Sequence, residues 1–278
     1  MSSEATVKPS SEWASRSAVV TVAFGHSTEH LDHTFSSFAI NRDVSLHAFI
    51  LGTELPKRRI DGIEYHLVAP VADFSHPLRE VYFRRMELID TLEIDYALVV
   101  DSYDVLCCQP LPPFRQLLGN ADVAACVEHQ GSRYILGQGY TSNFLNGGVF
   151  LWNIPRSRDI RAEVAARGRS HFRTVADDQH CLNEVIQTKY FDRLRILPSQ
   201  YNYRCDLAPL RRKGWPSVDH LDGVMIYHNA GCMEQAKKML PVKPRASLPM
   251  LTRDIQPLNV HQQFWRKVKN RLTPWVVR

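Results

Sequence analysis

Seven short apolar runs recur along the chain: VVTVAFG (19–25), LHAFILG (46–52), YALVVD (96–101), VAACVE (123–128), GVFLWN (148–153), LRILP (194–198) and GVMIYH (223–228). Each reads as a buried strand. Between them lie stretches with helical spacing. In 77–92 (PLREVYFRRMELIDTL), Val81, Leu88 and Leu92 share a face with Met86 nearby, and 177–190 (DDQHCLNEVIQTKY) is a second such stretch. Alternation of strand and helix predicts an α/β fold, with a mainly parallel sheet covered on both faces and ligand sites at the carboxyl ends of its strands. No repeat of about 20 to 50 residues interrupts that reading.

The 278 residues suit one large α/β domain or two small ones, and 44% hydrophobic with 23% charged residues allow a sizeable core. A net charge of +5 favours anionic partners but does not separate nucleic acid, phospholipid and nucleotide. Six cysteines, at 107, 108, 126, 181, 205 and 232, form no CxxC pair and fall short of a disulfide scaffold's density. Free thiols in a reducing compartment are expected. The polar start, MSSEATVKPSSEW, lacks a signal-like apolar stretch, and no segment approaches about 18 uninterrupted apolar residues. The expectation is a chain neither secreted by a signal peptide nor anchored by a spanning helix.

The run YALVVDSYDVLCC (96–108) ends a hydrophobic strand in two acids, Asp101 and Asp104, separated by Ser102 and Tyr103. A hard divalent cation binds carboxylate oxygens, and a nucleoside diphosphate brings oxygens of its own to complete the shell. Taken alone, the acid pair favours a plainer reading, a surface turn after a strand.

Three later segments add to it. In TSNFLNGGVFLWN (141–153), Asn146, Gly147 and Gly148 interrupt an apolar stretch just before the predicted strand. Adjacent glycines let backbone approach a ligand closely, and asparagine both donates to and accepts from sugar hydroxyls; a tight turn at positive φ is the alternative. In ADDQHCLNEVI (176–186), Asp177, Asp178 and Gln179 open a predicted helix, where acids also serve as simple caps. YHNAG (227–231) closes a strand with His228, a residue type more often structural than ligating.

In this order, with YNYR at 201–204 before HNAG, the segments resemble the GT-A glycosyltransferases, specifically glycosyltransferase family eight and the related glycosyltransferase domain of procollagen lysyl hydroxylases. The resemblance spans about residues 17 to 240. It implies that Asp101, Asp104 and His228 bind Mn²⁺, with Mg²⁺ the alternative, and that the ion holds the diphosphate of a UDP-sugar. It also implies that Ser102 and Tyr103 face the nucleotide and that Asn146, Gly147 and Gly148 border the donor sugar and the acceptor. Asp177 falls with the substrate contacts, and Asp178 and Gln179 lie beside the transferring sugar.

A Tyr-x-Arg pattern before the acid-bearing strand is matched by Tyr82 and Arg84, which makes Arg84 the donor-contacting candidate, with Arg85 beside it. Two departures stand out. The acids are two residues apart rather than one, as in the lysyl hydroxylase domain, and His180 occupies a position that is usually acidic in family eight. The family's diphosphate-contacting lysine is displaced here to Lys237 or Lys238.

The reading is a metal-dependent enzyme that moves a hexose from a UDP-sugar to a saccharide, glycolipid or protein-linked acceptor with retention of anomeric configuration. Its organisation is a disordered lead (1–16), a catalytic domain (17–250, with a nucleotide-binding half at 17–110 and an acceptor half at 111–250) and a basic amphipathic tail (251–278). The proline-bearing QPLPPF (109–114) marks the division between halves. In the tail, Phe264, Trp265, Val268 and Leu272 form an apolar stripe amid Arg266, Lys267, Lys269 and Arg271, suited to anionic membrane or to packing on the domain. Nucleic acid is not an expected partner, and the location expected is cytoplasmic, at the inner face of a membrane. Two rivals are a nucleotidyltransferase, disfavoured because VAFGHSTEH offers one glycine and no lysine for a phosphate loop, and a non-catalytic sugar-binding protein.

Overall fold

The computed structural model describes residues 16–24, 31, 34–70, 77–102, 105–127, 145–171, 177–203 and 223–228. Its main sheet is built from β1 (Ser17–Phe24), β2 (Ser45–Leu51), β3 (Ile63–Val68), β4 (Tyr96–Val100), β6 (Val123–Val127), β7 (Leu145–Asn153) and β8 (Leu194–Leu197). Their order is β3-β2-β1-β4-β7-β6-β8. β7 runs antiparallel to both its neighbours, β4 and β6, and the remaining pairs are parallel. The mainly parallel α/β sheet expected from the sequence is therefore present.

β5 (Val105–Cys107) and β9 (Ile226–His228) form a separate antiparallel pair. The run at 223–228 thus contributes only its last three residues to a strand, and not to the main sheet. β3 and β5 were not expected from the sequence.

Alternate residues of the central strands enter two cores, which is why these strands are apolar throughout rather than alternating with polar residues. On one face, Val20, Val22, Val99, Phe150 and Trp152 pack with residues of α1 (Pro77–Leu88), α3 (Arg158–His171) and α4 (Asp177–Lys189). On the other, Val19, Leu98, Val149 and Leu151 pack with Phe35, Phe38 and the short α2 (Phe114–Leu118). Each such large side chain contributes about 1.5–3 kcal/mol on burial. Of the face expected on 77–92, Leu88 and Met86 are buried and Leu92 packs against the same core; Val81's side chain lies outside what is described.

α3 is held by a polar anchor as well as by apolar contacts. The buried Arg161 guanidinium pairs with Asp90 and donates to the carbonyls of Met86 and Ile154. Arg161 thereby ties α3 to the end of α1. No helix among the described residues is long and apolar enough to cross a membrane.

β1 pairs with β2 on one side and β4 on the other, so the sheet order reverses between β1 and β4. In open α/β sheets, ligand sites form beyond the carboxyl ends of strands at such a reversal. Asp101 follows β4 there.

Candidate functional site

The site is assembled by strand register. Because β4 and β7 are antiparallel, with Val100 beside Val149, the amino-terminal residues of β7 lie at the carboxyl end of β4. The Asp101 amide donates to the Gly148 carbonyl at 2.9 Å, which continues the ladder by one residue. Asn146, Gly147 and Gly148 are therefore buried strand residues, not a connection preceding the strand. Neither glycine has positive φ. Close approach is what they provide, and the turn alternative is excluded.

Gly148 sits against two functional side chains. A Cβ built there would lie 2.5 Å from Asp101 Oδ2 and would collide with the His228 ring at Cε1. Any side chain at 148 would fill the space in which these groups meet. Gly147 is roomier: its Cβ would make ordinary contact with Gln179 Cβ at 3.4 Å and Cγ at 3.5 Å. Gln179 is thus brought beside the same strand, while the side chains of Asp177 and Asp178, in the first turn of α4, lie outside what is described.

His228 reaches the site through β9. Val105, just after the acid pair, is its register partner on β5, and the His228 amide donates to the Tyr203 carbonyl at 2.8 Å. His228 is buried, and its Nε2 lies 3.7 Å from Asp101 Oδ2. Asp104 and Tyr103 fall outside the described residues, as does Lys237. Ser102 is buried, and its carbonyl accepts from Thr34 Oγ1 at 3.0 Å.

A chain of hydrogen bonds determines which His228 nitrogen bears the proton. The Gly148 amide can only donate, so the Asn146 side-chain atom 2.9 Å away is its oxygen. That oxygen also receives Asn202 Nδ2 at 2.8 Å, which turns Asn202 Oδ1 toward His228 Nδ1 at 2.9 Å. Asn202 Oδ1 accepts there, so Nδ1 carries a hydrogen, and in the neutral ring the Nε2 lone pair faces Asp101. An acceptor nitrogen and a carboxylate oxygen converging in this way are donor types that could hold a divalent cation.

Arg85, rather than Arg84, joins this centre. Arg85 is buried, donating from Nη1 to Asp101 Oδ1 at 3.0 Å and from Nη2 to the Gly147 carbonyl at 2.9 Å. Arg84 instead donates to the Ala69 carbonyl at 2.8 Å on the exposed side of the helix. Which of the two adjacent arginines meets Asp101 is set by the helix orientation, which the Tyr-x-Arg pattern does not give.

Asn183 is a further residue that the sequence left without a role. Its amide brackets Leu145, accepting from its N–H at 2.6 Å and donating to its carbonyl at 2.8 Å, and it also donates to the Gln179 carbonyl at 2.8 Å. It docks the first turns of α4 onto the start of β7. Both Asn183 and Asn202 lie within the quoted segments DDQHCLN and YNYR, but nothing local to those segments reveals their partners.

No protein-family model matches the chain, and no curated protein matches it in sequence. Solved structures do match in shape. The galactosyltransferase LgtC in complex with donor and acceptor sugar analogues is 18% identical, with a TM-score of 0.52 over 93% of this chain and 98% of that one. An active-site mutant of LgtC gives 18% identity and a TM-score of 0.56 over 92% and 96% of the two chains. The glycosyltransferase GlyE of Streptococcus pneumoniae TIGR4 is 19% identical, with a TM-score of 0.50 over 78% of this chain and 55% of that one. The chain has the GT-A fold of these glycosyltransferases.

Proposed function

We propose that the protein is a metal-dependent glycosyltransferase that transfers a hexose from a UDP-sugar to a saccharide, glycolipid or protein-linked acceptor with retention of anomeric configuration. The observation that carries this is the Asp101–His228 pair, two acceptor atoms 3.7 Å apart at the reversal point of a GT-A sheet. Mn²⁺, with Mg²⁺ as the alternative, would be held by Asp101, His228 and Asp104. When bound, such an ion neutralises charge that develops on a departing diphosphate.

The chain's own residues supply orientation. Arg85 fixes the Asp101 carboxylate from one side, leaving Oδ2 toward His228. Asn146 and Asn202 fix the imidazole tautomer from the other. Gly148 keeps the space between them clear. Gln179, beside Gly147, and Asp178 are assigned to the transferring sugar, Asn146 and Gly147 to its border, and Lys237 to the diphosphate. The tail at 251–278, outside the described residues, is assigned to anionic membrane, which sedimentation with anionic vesicles at low and high salt would test.

UDP release from a panel of UDP-sugars, with Mn²⁺ or chelator, tests the function. The expected result is metal-dependent release with at least one donor, abolished in a folded Asp101→Ala protein. Release unaffected by chelator, or retained in full by that variant, would overturn the reading.

A further inference from the structure

A second cluster of ligating side chains lies at the edge of the main sheet. β3 is the edge strand, and its register with β2 puts Glu64 beside His47 and His66 beside Phe49. The His66 ring stacks on Phe49 at 4.6 Å between centroids and on His47 at 5.2 Å. Three ligating side chains converge: His47 Nδ1 lies 3.0 Å from His66 Nε2 and 3.5 Å from Glu64 Oε2, and His66 Nε2 lies 3.8 Å from the other carboxylate oxygen, Glu64 Oε1.

The proton positions make this more than a packed pair of rings. His47 Nε2 lies 2.8 Å from the Ser45 hydroxyl and donates to it in the tautomer that leaves Nδ1 as an acceptor. His47 Nδ1 then accepts at 3.0 Å from His66 Nε2–H, and a metal taken up by both rings replaces that hydrogen, with His66 carrying its proton on Nδ1 instead. The Glu64 contacts, at 3.5 and 3.8 Å, are too long for good hydrogen bonds. Zinc bonds of about 2.0–2.1 Å at tetrahedral angles set ligand atoms roughly 3.3 Å apart, and the observed separations bracket that value.

We infer that His47, His66 and Glu64 form a binding site for a Zn²⁺-class ion that staples edge strand β3 to β2, with a fourth position open to water. Two imidazoles and one carboxylate favour zinc over the harder cations suited to a carboxylate-rich centre. His47 is buried and Glu64's side chain is 66% exposed, so the open position faces solvent. The two strands that carry the site, β2 and β3, lie two and three strand spacings, about 10 and 14 Å, from β4, which sets it apart from Asp101 and His228.

Zinc titration by calorimetry on the full chain carrying His228→Ala, which removes the candidate catalytic ligand, tests the inference. One Zn²⁺ equivalent should remain, should raise the melting temperature, and should disappear when His66→Ala is added. Glu64→Gln, at an exposed position that cannot unfold the sheet, should weaken zinc binding about tenfold or more in the same background. Absence of zinc binding in the His228→Ala protein overturns the site, as does unchanged stoichiometry and affinity on adding either His66→Ala or Glu64→Gln. Failure to release UDP would refute the proposed transfer activity and leave these titrations unaffected.

Discussion

Asp101 Oδ2 and His228 Nε2 stand 3.7 Å apart, and a methyl group on Gly148 would collide with both residues. The glycine keeps the space between these two groups clear although it contributes no side chain. Its backbone φ is one an alanine adopts without strain, so Gly148→Ala tests the space itself rather than the strand. Overpacking should cost about 1–3 kcal/mol of stability, and displacement of the ligating groups should lower transfer about 100-fold or more. Gly147→Ala, which meets only Gln179 at ordinary contact distance, should stay within about 1 kcal/mol of the parent and keep most of its turnover. Melting curves and UDP-release rates for both variants check this. Equal losses in the two would show that the glycines matter only to the strand.

Asn202 touches His228 at Nδ1, on the side of the ring away from Asp101, and so acts as a positioning residue. Asn202→Ala should release the tautomer, weaken Mn²⁺ binding about 10- to 100-fold and shift the metal concentration at half-maximal activity accordingly. Saturating metal should then restore part of the rate, which a collapse of the site would not allow. Asn202→Asp keeps an acceptor for Nδ1–H but opposes two oxygens at Asn146, so it should rescue incompletely. Unchanged metal dependence in Asn202→Ala would refute the role.

Arg84 and Arg85 should separate cleanly on substitution. Arg85→Ala leaves the Asp101 carboxylate and the Gly147 carbonyl without their shared donor. Loss of one partner of a buried pair costs about 3–5 kcal/mol, and about 2–3 kcal/mol is expected here because the Asp101 side chain is 25% exposed. Arg84→Ala removes the exposed bond to the Ala69 carbonyl and should shift stability by less than Arg85→Ala, about 0.5 kcal/mol. Urea midpoints check the order, and a larger loss in Arg84→Ala would reverse the assignment.

The elements legible in the sequence are those whose residues are buried on both faces. β4 and most of β7 are continuous apolar runs because cores lie above and below them. β3 was missed because Glu64 and His66 interrupt its apolar pattern, and α3 because Ile160, Val164 and Ala165 are its only buried apolar residues while Arg161 provides the polar anchor. Gly147 and Gly148 read as a turn on propensity, but β4 and β6 flank β7 and supply the pairing that glycine lacks intrinsically. Asp101, His228 and Asn146 could be named from the chain, and the structure brings them together. Asn202 could not be given a role, since its partner Asn146 lies 56 residues earlier and only the tertiary fold brings the 3-10 turn at Ser199–Asn202 beside β7.

The thiols provide a test that requires no substrate. Burial pushes the Cys107 thiol up from 9.0 to about 11 and the Cys108 thiol up to about 12, with Cys107 adding repulsion to Cys108, and burial raises Cys126 as well. At pH 8 the Cys107 thiolate fraction is then about 100-fold below that of the unfolded chain, because the fraction falls tenfold each time the pKa rises by one. Iodoacetamide should modify Cys107, Cys108 and Cys126 correspondingly slowly in the native protein and readily in urea, as mapped by mass spectrometry. These groups hold their protons more tightly in the folded state than in the unfolded state. Their stabilising effect is therefore complete below about pH 9 and is lost as pH rises through 11 to 12, because the unfolded thiols ionise first. Urea midpoints should fall from about pH 8.5 to about pH 10.5, and Cys107→Ala should reduce the slope. A flat profile together with rapid native labelling would place these thiols in contact with water and contradict the packing of β5 against Asn41 and the 3-10 turn at Phe35–Ile40.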